Sequence, residues 1–222
     1  MTVGFFTAFR TDPQHYLHAV SLVQDVTRAM PGTTVVQFTD PSSPIVLGVS
    51  RVERVEAGEL LACRIAAYAR ATPGDWLLLD TDVSLAADVS SVFHDLRFDV
   101  ALTDRHWPHL PQGDSVMHTM PFNTGVVFSR CAAFWRDVLE TWRAFDDSGR
   151  ADWMSEQRAV YMVVRTGRYR VKILPGMIYN CPPKAQDDMP TEAKILHYKG
   201  PKRKAWLTQR YYESCRTQAV LV

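Results

Sequence analysis

The stretch DWLLLDTDVSL, residues 75–85, decides how the rest of the chain is read. Four large apolar residues, Trp76 to Leu79, run unbroken into two aspartates, Asp80 and Asp82, with Thr81 between them. A short continuous apolar run reads as a strand buried on both faces, as in a parallel sheet covered by helices. Such a strand delivers two carboxylates to the edge of the sheet. Three chemistries are open there. The pair can bind a divalent cation that carries a ligand's phosphates, one carboxylate can attack phosphorus, or the two can end a strand and cap the next helix.

Working outward, the preceding segments alternate strand and helix signals. VGFFTAF (3–9) is a first strand, and the segment after it opens a helix with Pro13 at a first-turn position and a stop at Pro31-Gly32. TTVVQFTD (33–40) and SPIVLGV (43–49) read as two further strands, and 57–72 as a helix that PGD breaks. Downstream, 98–104, 121–130 and 169–175 read as strands, and 131–145 and 151–167 as amphipathic helices joined by the breaker DDSGR. KILHYKGPKRKAW (194–206) reads as a strand running into a basic segment. This order predicts one α/β domain over 1–222, a mostly parallel, Rossmann-like mixed sheet flanked by helices.

Composition narrows the classes. With 222 residues, 46% hydrophobic, 22% charged and a formal net charge of +1, the chain is an ordinary globular one and not a nucleic-acid coat. Its apolar segments fall short of the roughly 20 residues that span a bilayer, and its start does not read as a secretory signal. The scattered Cys63, Cys131, Cys181 and Cys215 form no CxxC pair, which favours reduced thiols and a cytoplasmic location.

For the aspartate pair, DTDVSL (80–85) approaches the pattern of haloacid-dehalogenase-like phosphohydrolases, with Ser84 where threonine is usual and Asp80 as nucleophile. About three strands come first, however, and the later acid pairs at 146–147 and 187–188 follow no clear apolar strand. The alternative is a transferase in which Mg²⁺ or Mn²⁺, held by oxygen ligands, bridges a nucleotide-sugar's diphosphate. Two carboxylates are too few for that ion, so this reading requires a further ligand and a cation elsewhere in the chain.

The DTD triplet, FNTGVVFSR (122–130), SEQRAVY (155–161) and HYKGPKRKAW (197–206) occur in an order that resembles the GT-A-fold glycosyltransferases. The closest resemblance is to the retaining group of glycogenin and bacterial lipopolysaccharide galactosyltransferases. It implies a metal-dependent transfer of a sugar from a nucleotide donor, a UDP-sugar, to an acceptor hydroxyl with retention. Residues 1–104 would form the nucleotide-binding half and 105–222 the sugar and acceptor half. Asp80, Asp82 and His197 would hold Mn²⁺ or Mg²⁺. Gly200 would admit the phosphates, and Lys204, with Lys202 as second candidate, would meet the leaving diphosphate. Ala205 stands where the family has proline.

The same resemblance assigns Thr7, Ala8 and Phe9 to the base and ribose, Asp40 to the base, and Thr81 and Arg64 to the donor. Asp104 and Arg105 fall beside the donor sugar, as do Asn123, Thr124 and Gly125, with Asn123 in the catalytic group. Glu156 and Gln157, also in the catalytic group, fall where the family has Asp-Gln, with Glu in place of Asp. The resemblance puts Gln157 near the reacting carbon and has Glu156 orient sugar hydroxyls. A carboxylate there can instead be the general base of an inverting reaction. Plain alternatives exist for several: Asp40 as a turn cap before Pro41, Arg64 as a surface arginine, SEQR as a polar helix face. His106, Trp107, His109 and His118 lie in a long loop, 105–120, read as acceptor-facing. The other tryptophans are expected in the core. A saccharide, a lipid-linked sugar, a protein and a modified DNA base all remain open as acceptor.

Overall fold

The computed structural model describes residues 1–8, 13–56, 58–71, 73–105, 120–186, 188 and 190–220, the side chains at 13 and 214–220 excepted. Its main sheet has seven strands: β1 (Thr2–Thr7), β2 (Thr34–Thr39), β3 (Arg51–Arg54), β4 (Trp76–Leu79), β6 (Val100–Asp104), β7 (Phe122–Ser129) and β8 (Val171–Leu174). They lie in the order β3-β2-β1-β4-β7-β6-β8. β3, β2, β1 and β4 are mutually parallel, as are β6 and β8, and β7 runs antiparallel to both its neighbours.

The central strands are apolar on both sides because both faces are covered. Leu77 and Leu79 pack with Val3, Phe5, Phe128 and the inner face of α1 (Pro13–Ala29). Trp76 and Leu78, pointing the other way, pack with Phe38, Val127, α2 (Leu60–Ala69), α3 (Ala132–Arg143) and α5 (Ser155–Arg165). Alternation with period two thus splits one apolar run between two cores.

A second sheet carries the rest of the site. β5 (Val83–Leu85) pairs antiparallel with β9 (Ile195–His197), placing Val83 opposite His197. Between β8 and β9 the short helix α6 (Gly176–Tyr179) leads into Asn180. α7 (Pro201–Val220) begins shortly after β9 and is tied down at several points. Arg210 Nη1 donates to Ser84 Oγ and Tyr198 Oη, each at 3.1 Å, while Leu207 is fully buried against Tyr198. His18 Nε2 on α1 meets Thr208 Oγ1 at 2.9 Å.

Two expectations need correction. Residues 43–49 form no strand: Ile45 and Leu47 point outward at 57% and 75% exposure, and Gly48 has φ of +87°. Gln37, buried on β2, accepts from Val46 N–H and donates to Pro44 C=O, so one side chain satisfies the loop's backbone. The third parallel strand is instead 51–54. DDSGR supplies a short helix, α4 (Asp147–Ala151), because Asp146 caps it by accepting from Gly149 N–H at 2.7 Å. The basic segment after β9 is helical. Among the described residues no helix is long and apolar enough to cross a membrane, and Cys131 and Cys181 are thiols outside any disulfide.

Candidate metal centre and its cleft

β4 ends at Asp80, whose N–H donates to Gly125 C=O at 2.9 Å and so extends the ladder with β7. Asp82 precedes β5, and its C=O accepts from Tyr198 N–H at 2.9 Å. The pairing of β5 with β9 then brings His197 against the aspartates across more than a hundred residues of sequence. His197 Nε2 lies 3.2 Å from Asp82 Oδ1 and 3.6 Å from Asp80 Oδ2. One ligand atom from each residue falls within 4.8 Å of the other two. Two carboxylate oxygens and one imidazole nitrogen form a donor set suited to Mn²⁺ or Mg²⁺.

The side chains around this triad fix its geometry. His197 Nδ1 faces Asn180 Oδ1 at 2.8 Å, and the amide oxygen can only accept, so Nδ1 carries a proton and Nε2 is the nitrogen turned toward the aspartates. The Asn180 amide donates to Thr103 Oγ1 at 2.6 Å and to Asn123 Oδ1 at 2.9 Å. Asn123 Oδ1 also accepts from Gly125 N–H. Gly125 itself leaves the room that His197 and Asp80 occupy: a Cβ there would lie 2.2 Å from His197 Cε1 and 2.7 Å from Asp80 Oδ2.

Cations bracket the acids. Lys204 Nζ is 3.2 Å from Asp82 Oδ2, and Arg64 on α2 reaches Asp80 Oδ1 at 2.7 Å and Thr124 C=O at 2.9 Å. Burial opposes ionisation of Asp82, but His197 and Lys204 outweigh it and hold the carboxyl well below the usual range. Glu156 goes the other way. Burial raises it despite Arg64 Nε at 3.4 Å. Lys199 is lowered to about 8, first by burial and then by Arg105. Burial alone lowers Arg105, which donates to Gln157 Oε1.

A cleft of about 1180 Å³ gathers most of the residues expected from the sequence. Thr7, Ala8, Asp40, Arg64, Asp80, Thr81, Asp82, Asp104, Asn123, Thr124, Gly125, Glu156, Gln157, His197, Gly200 and Lys204 all line it. Phe9, His106, Trp107, His109 and His118 lie outside the described residues. Lys202 does not line the cleft; its ammonium sits over the Trp206 ring, 5.4 Å from the centroid. Lys199 and Arg203 line it instead. Asp40 is engaged as a turn cap, accepting from Ser42 N–H at 2.8 Å and from the Ser43 hydroxyl. Gly200 has φ of +82°, which lets the chain turn from β9 into α7.

The sequence reading missed Asn180, which carries no signal in YNCPP beyond being an asparagine after a short apolar run. It also missed Trp153, expected in the core yet 74% exposed on the cleft wall. Its place two residues before SEQR, after the Asp146-capped turn, is the one signal that distinguished it.

No family model matches the chain, and no curated protein matches it. Solved structures do. A glycosyltransferase involved in glycosylation of the major capsid of PBCV-1 superposes with a TM-score of 0.62 at 18% identity, covering 96% of this chain and 100% of that one. The galactosyltransferase LgtC, solved with donor and acceptor sugar analogs, gives 0.57 at 13%, covering 96% and 94%. GlyE of Streptococcus pneumoniae gives 0.64 at 13%, covering 96% of this chain and 63% of its own. The chain therefore has the GT-A glycosyltransferase fold, with a mixed seven-stranded sheet whose cleft holds an Asp-Asp-His triad.

Proposed function

We propose that this chain is a metal-dependent glycosyltransferase that moves a sugar from a nucleotide donor, a UDP-sugar, to an acceptor hydroxyl with retention. The observation that carries the proposal is the convergence of Asp80, Asp82 and His197, from two different sheets, in the cleft of a glycosyltransferase fold. That convergence also weakens the reading of Asp80 as a phosphohydrolase nucleophile, since His197 and Arg64 both claim its carboxylate.

Asp80, Asp82 and His197 would hold Mn²⁺ or Mg²⁺, which when bound supplies Lewis-acid neutralisation of the diphosphate. Lys204 sits beside Asp82, where it would receive phosphate oxygens as the sugar–phosphate bond breaks. Thr7, Ala8 and Asp40, at the ends of β1 and β2, form the wall proposed for the nucleoside, in the 1–104 half. Asn123, Thr124, Glu156 and Gln157 form the wall proposed for the sugar, in the 105–222 half. Glu156 Oε1 is buried with no hydrogen-bond partner among the described residues and lines the cleft, an acceptor suited to a sugar hydroxyl. Glu156 and Gln157 are each engaged by an arginine, Arg64 and Arg105, which suits positioning better than proton shuttling.

The test is UDP release from UDP-sugars, with and without Mn²⁺, against pooled saccharide, lipid-linked, protein and modified-DNA acceptors. Proton NMR of the product reads the anomeric configuration. Absence of turnover together with absence of UDP-dependent thermal stabilisation refutes the proposal, and an inverted product refutes retention alone.

A further inference from the structure

Arg105 is a buried charge in the cleft with no carboxylate partner among the described residues. The residue is only 5% exposed, yet among the described residues no carboxylate lies within ion-pair distance of it. Its Nε has no hydrogen-bond partner, and its Nη2 is directed at the neutral Gln157 Oε1. Asp104, its neighbour in sequence, turns its Oδ1 to Gly176 N–H at 2.5 Å. Lys199 also lines the cleft and makes no ion pair among the described residues. Arg64 and Lys204 differ, since they are paired with Asp80 and Asp82, and Arg203, which also lines the cleft, donates to the Pro183 and Lys199 carbonyls.

Buried charges are costly unless an opposite charge meets them. The described residues supply none at Arg105, so the compensating charge is expected on a ligand. Position separates it from the diphosphate. Arg105 follows β6, which is two strands away from β4 and its Asp80, about 9–10 Å at the usual strand spacing. A diphosphate at the aspartates meets Lys204 and the start of α7, whereas Arg105 lies further along, beside Gln157 and the proposed sugar wall. Lys199, two residues after His197, lines the same cleft as Arg105.

We infer that Arg105 and Lys199 form a second anion-binding position, taking a carboxylate or phosphate carried by the sugar next to the reaction centre. This rests on the glycosyltransferase reading above. The anionic group can belong to the donor, as in a nucleoside-diphosphate uronic acid, or to an acidic or phosphorylated acceptor sugar.

Calorimetry on the full chain with Mn²⁺ separates the sources. The donor arm compares UDP, UDP-glucose and UDP-glucuronate. The acceptor arm, with UDP present, compares glucose, glucuronate and glucose 6-phosphate. The expected result is a preference of about 10-fold or more for the anionic sugar in one arm, the scale of a charge-assisted contact. Arg105→Gln should erase that preference while UDP alone changes less than threefold, and Arg105→Lys should recover part of it. Lys199→Met gives an independent loss that leaves the Arg105–Gln157 bond in place. No preference in either arm overturns the inference. So does an Arg105→Gln variant that weakens UDP as much as the anionic sugar, since Arg105 would then belong to the diphosphate clamp. Failure to bind UDP at all would remove the glycosyltransferase reading, and this inference with it.

Discussion

A single methyl group on Gly125 tests the metal centre directly. Gly125 is not among the glycines with positive φ, so alanine fits its backbone and the whole effect falls on what the Cβ meets. That atom would lie 2.2 Å from His197 Cε1 and 2.7 Å from both His197 Nδ1 and Asp80 Oδ2. Ordinary carbon contact requires the imidazole to retreat by roughly 1.2 Å or more. The ring is 4% exposed, and its bond to Asn180 holds it in place. It therefore cannot retreat without breaking that bond or carrying Asn180 with it. Metal ligands tolerate displacements of about 0.2 Å, so a shift of this size removes one of three protein ligands. Gly125→Ala should weaken Mn²⁺ binding by about 100-fold, or about 2.7 kcal/mol. Overpacking should also cost about 1–3 kcal/mol of stability. Free Mn²⁺ measured by electron paramagnetic resonance during titration, at a temperature where both proteins are folded, reads the first effect, and a thermal melt reads the second. A Gly125→Ala protein that melts like wild type and binds Mn²⁺ within threefold of it would refute the placement of His197 and Asp80 around one ion.

Asn180→Ala should lower Mn²⁺ affinity by about 10- to 100-fold, because the His197 tautomer is no longer held. Asn180→Asp keeps an acceptor for Nδ1–H but loses the donations to Thr103 and Asn123, so it should retain more Mn²⁺ affinity than Asn180→Ala, and equal losses in both variants would contradict the tautomer argument. Burial raises the Glu156 carboxyl above its ordinary 4.5, so its protonated form favours the fold below that value and this contribution is lost as pH rises through the folded pKa. From about pH 4.5 upward the urea midpoint of Glu156→Gln should therefore gain on wild type, and a gap that moves the opposite way with pH would mean that Arg64 outweighs burial. At Gly176 a Cβ would lie 2.3 Å from the Asp104 carbonyl oxygen, a backbone atom that cannot swing aside. Gly176→Ala should cost about 1–3 kcal/mol in urea unfolding, and an unchanged midpoint would refute that close approach.

How much of this was legible depends on how local each signal is. Trp76 to Leu79 announced a doubly covered strand because each residue's burial depends on its own position in the pleat. Asp80 and Asp82 were legible for the same reason. His197 was not, from residues alone, because the pairing of β5 with β9 that delivers it joins segments more than a hundred residues apart; only the order of motifs pointed to it. Asn180 was invisible, since its role consists of contacts to Thr103, Asn123 and His197 that no spacing encodes. The misread strand at 43–49 failed through a single buried side chain: Gln37 offered the loop the hydrogen bonds that a neighbouring strand would have given. Only the motif's spacing ranked Lys204 ahead of Lys202, and the course of α7 separates them, with Lys204 on Asp82 and Lys202 over the Trp206 ring.

The reversed strand explains why the site stands where it does. In an open parallel sheet the strand ends form the ligand edge. β7 is antiparallel, so its beginning, not its end, reaches that edge, and Asn123-Thr124-Gly125 arrive beside the end of β4. A glycine is then required at that point, because β4 brings Asp80 and the small sheet brings His197 into the space a side chain would fill. The triad is therefore a joint between two sheets. Asp80 belongs to the large one, and Asp82 and His197 to the small one that also launches α7. Arg210, reaching back from α7 to Ser84 and Tyr198, closes the small sheet onto its own helix. The helix start is thereby fixed relative to Asp82, and Lys204, one turn in, falls on that carboxylate. Cation, carboxylates and imidazole are held in register by pairing and packing at a distance from the cleft, so the centre is built before any ligand enters it.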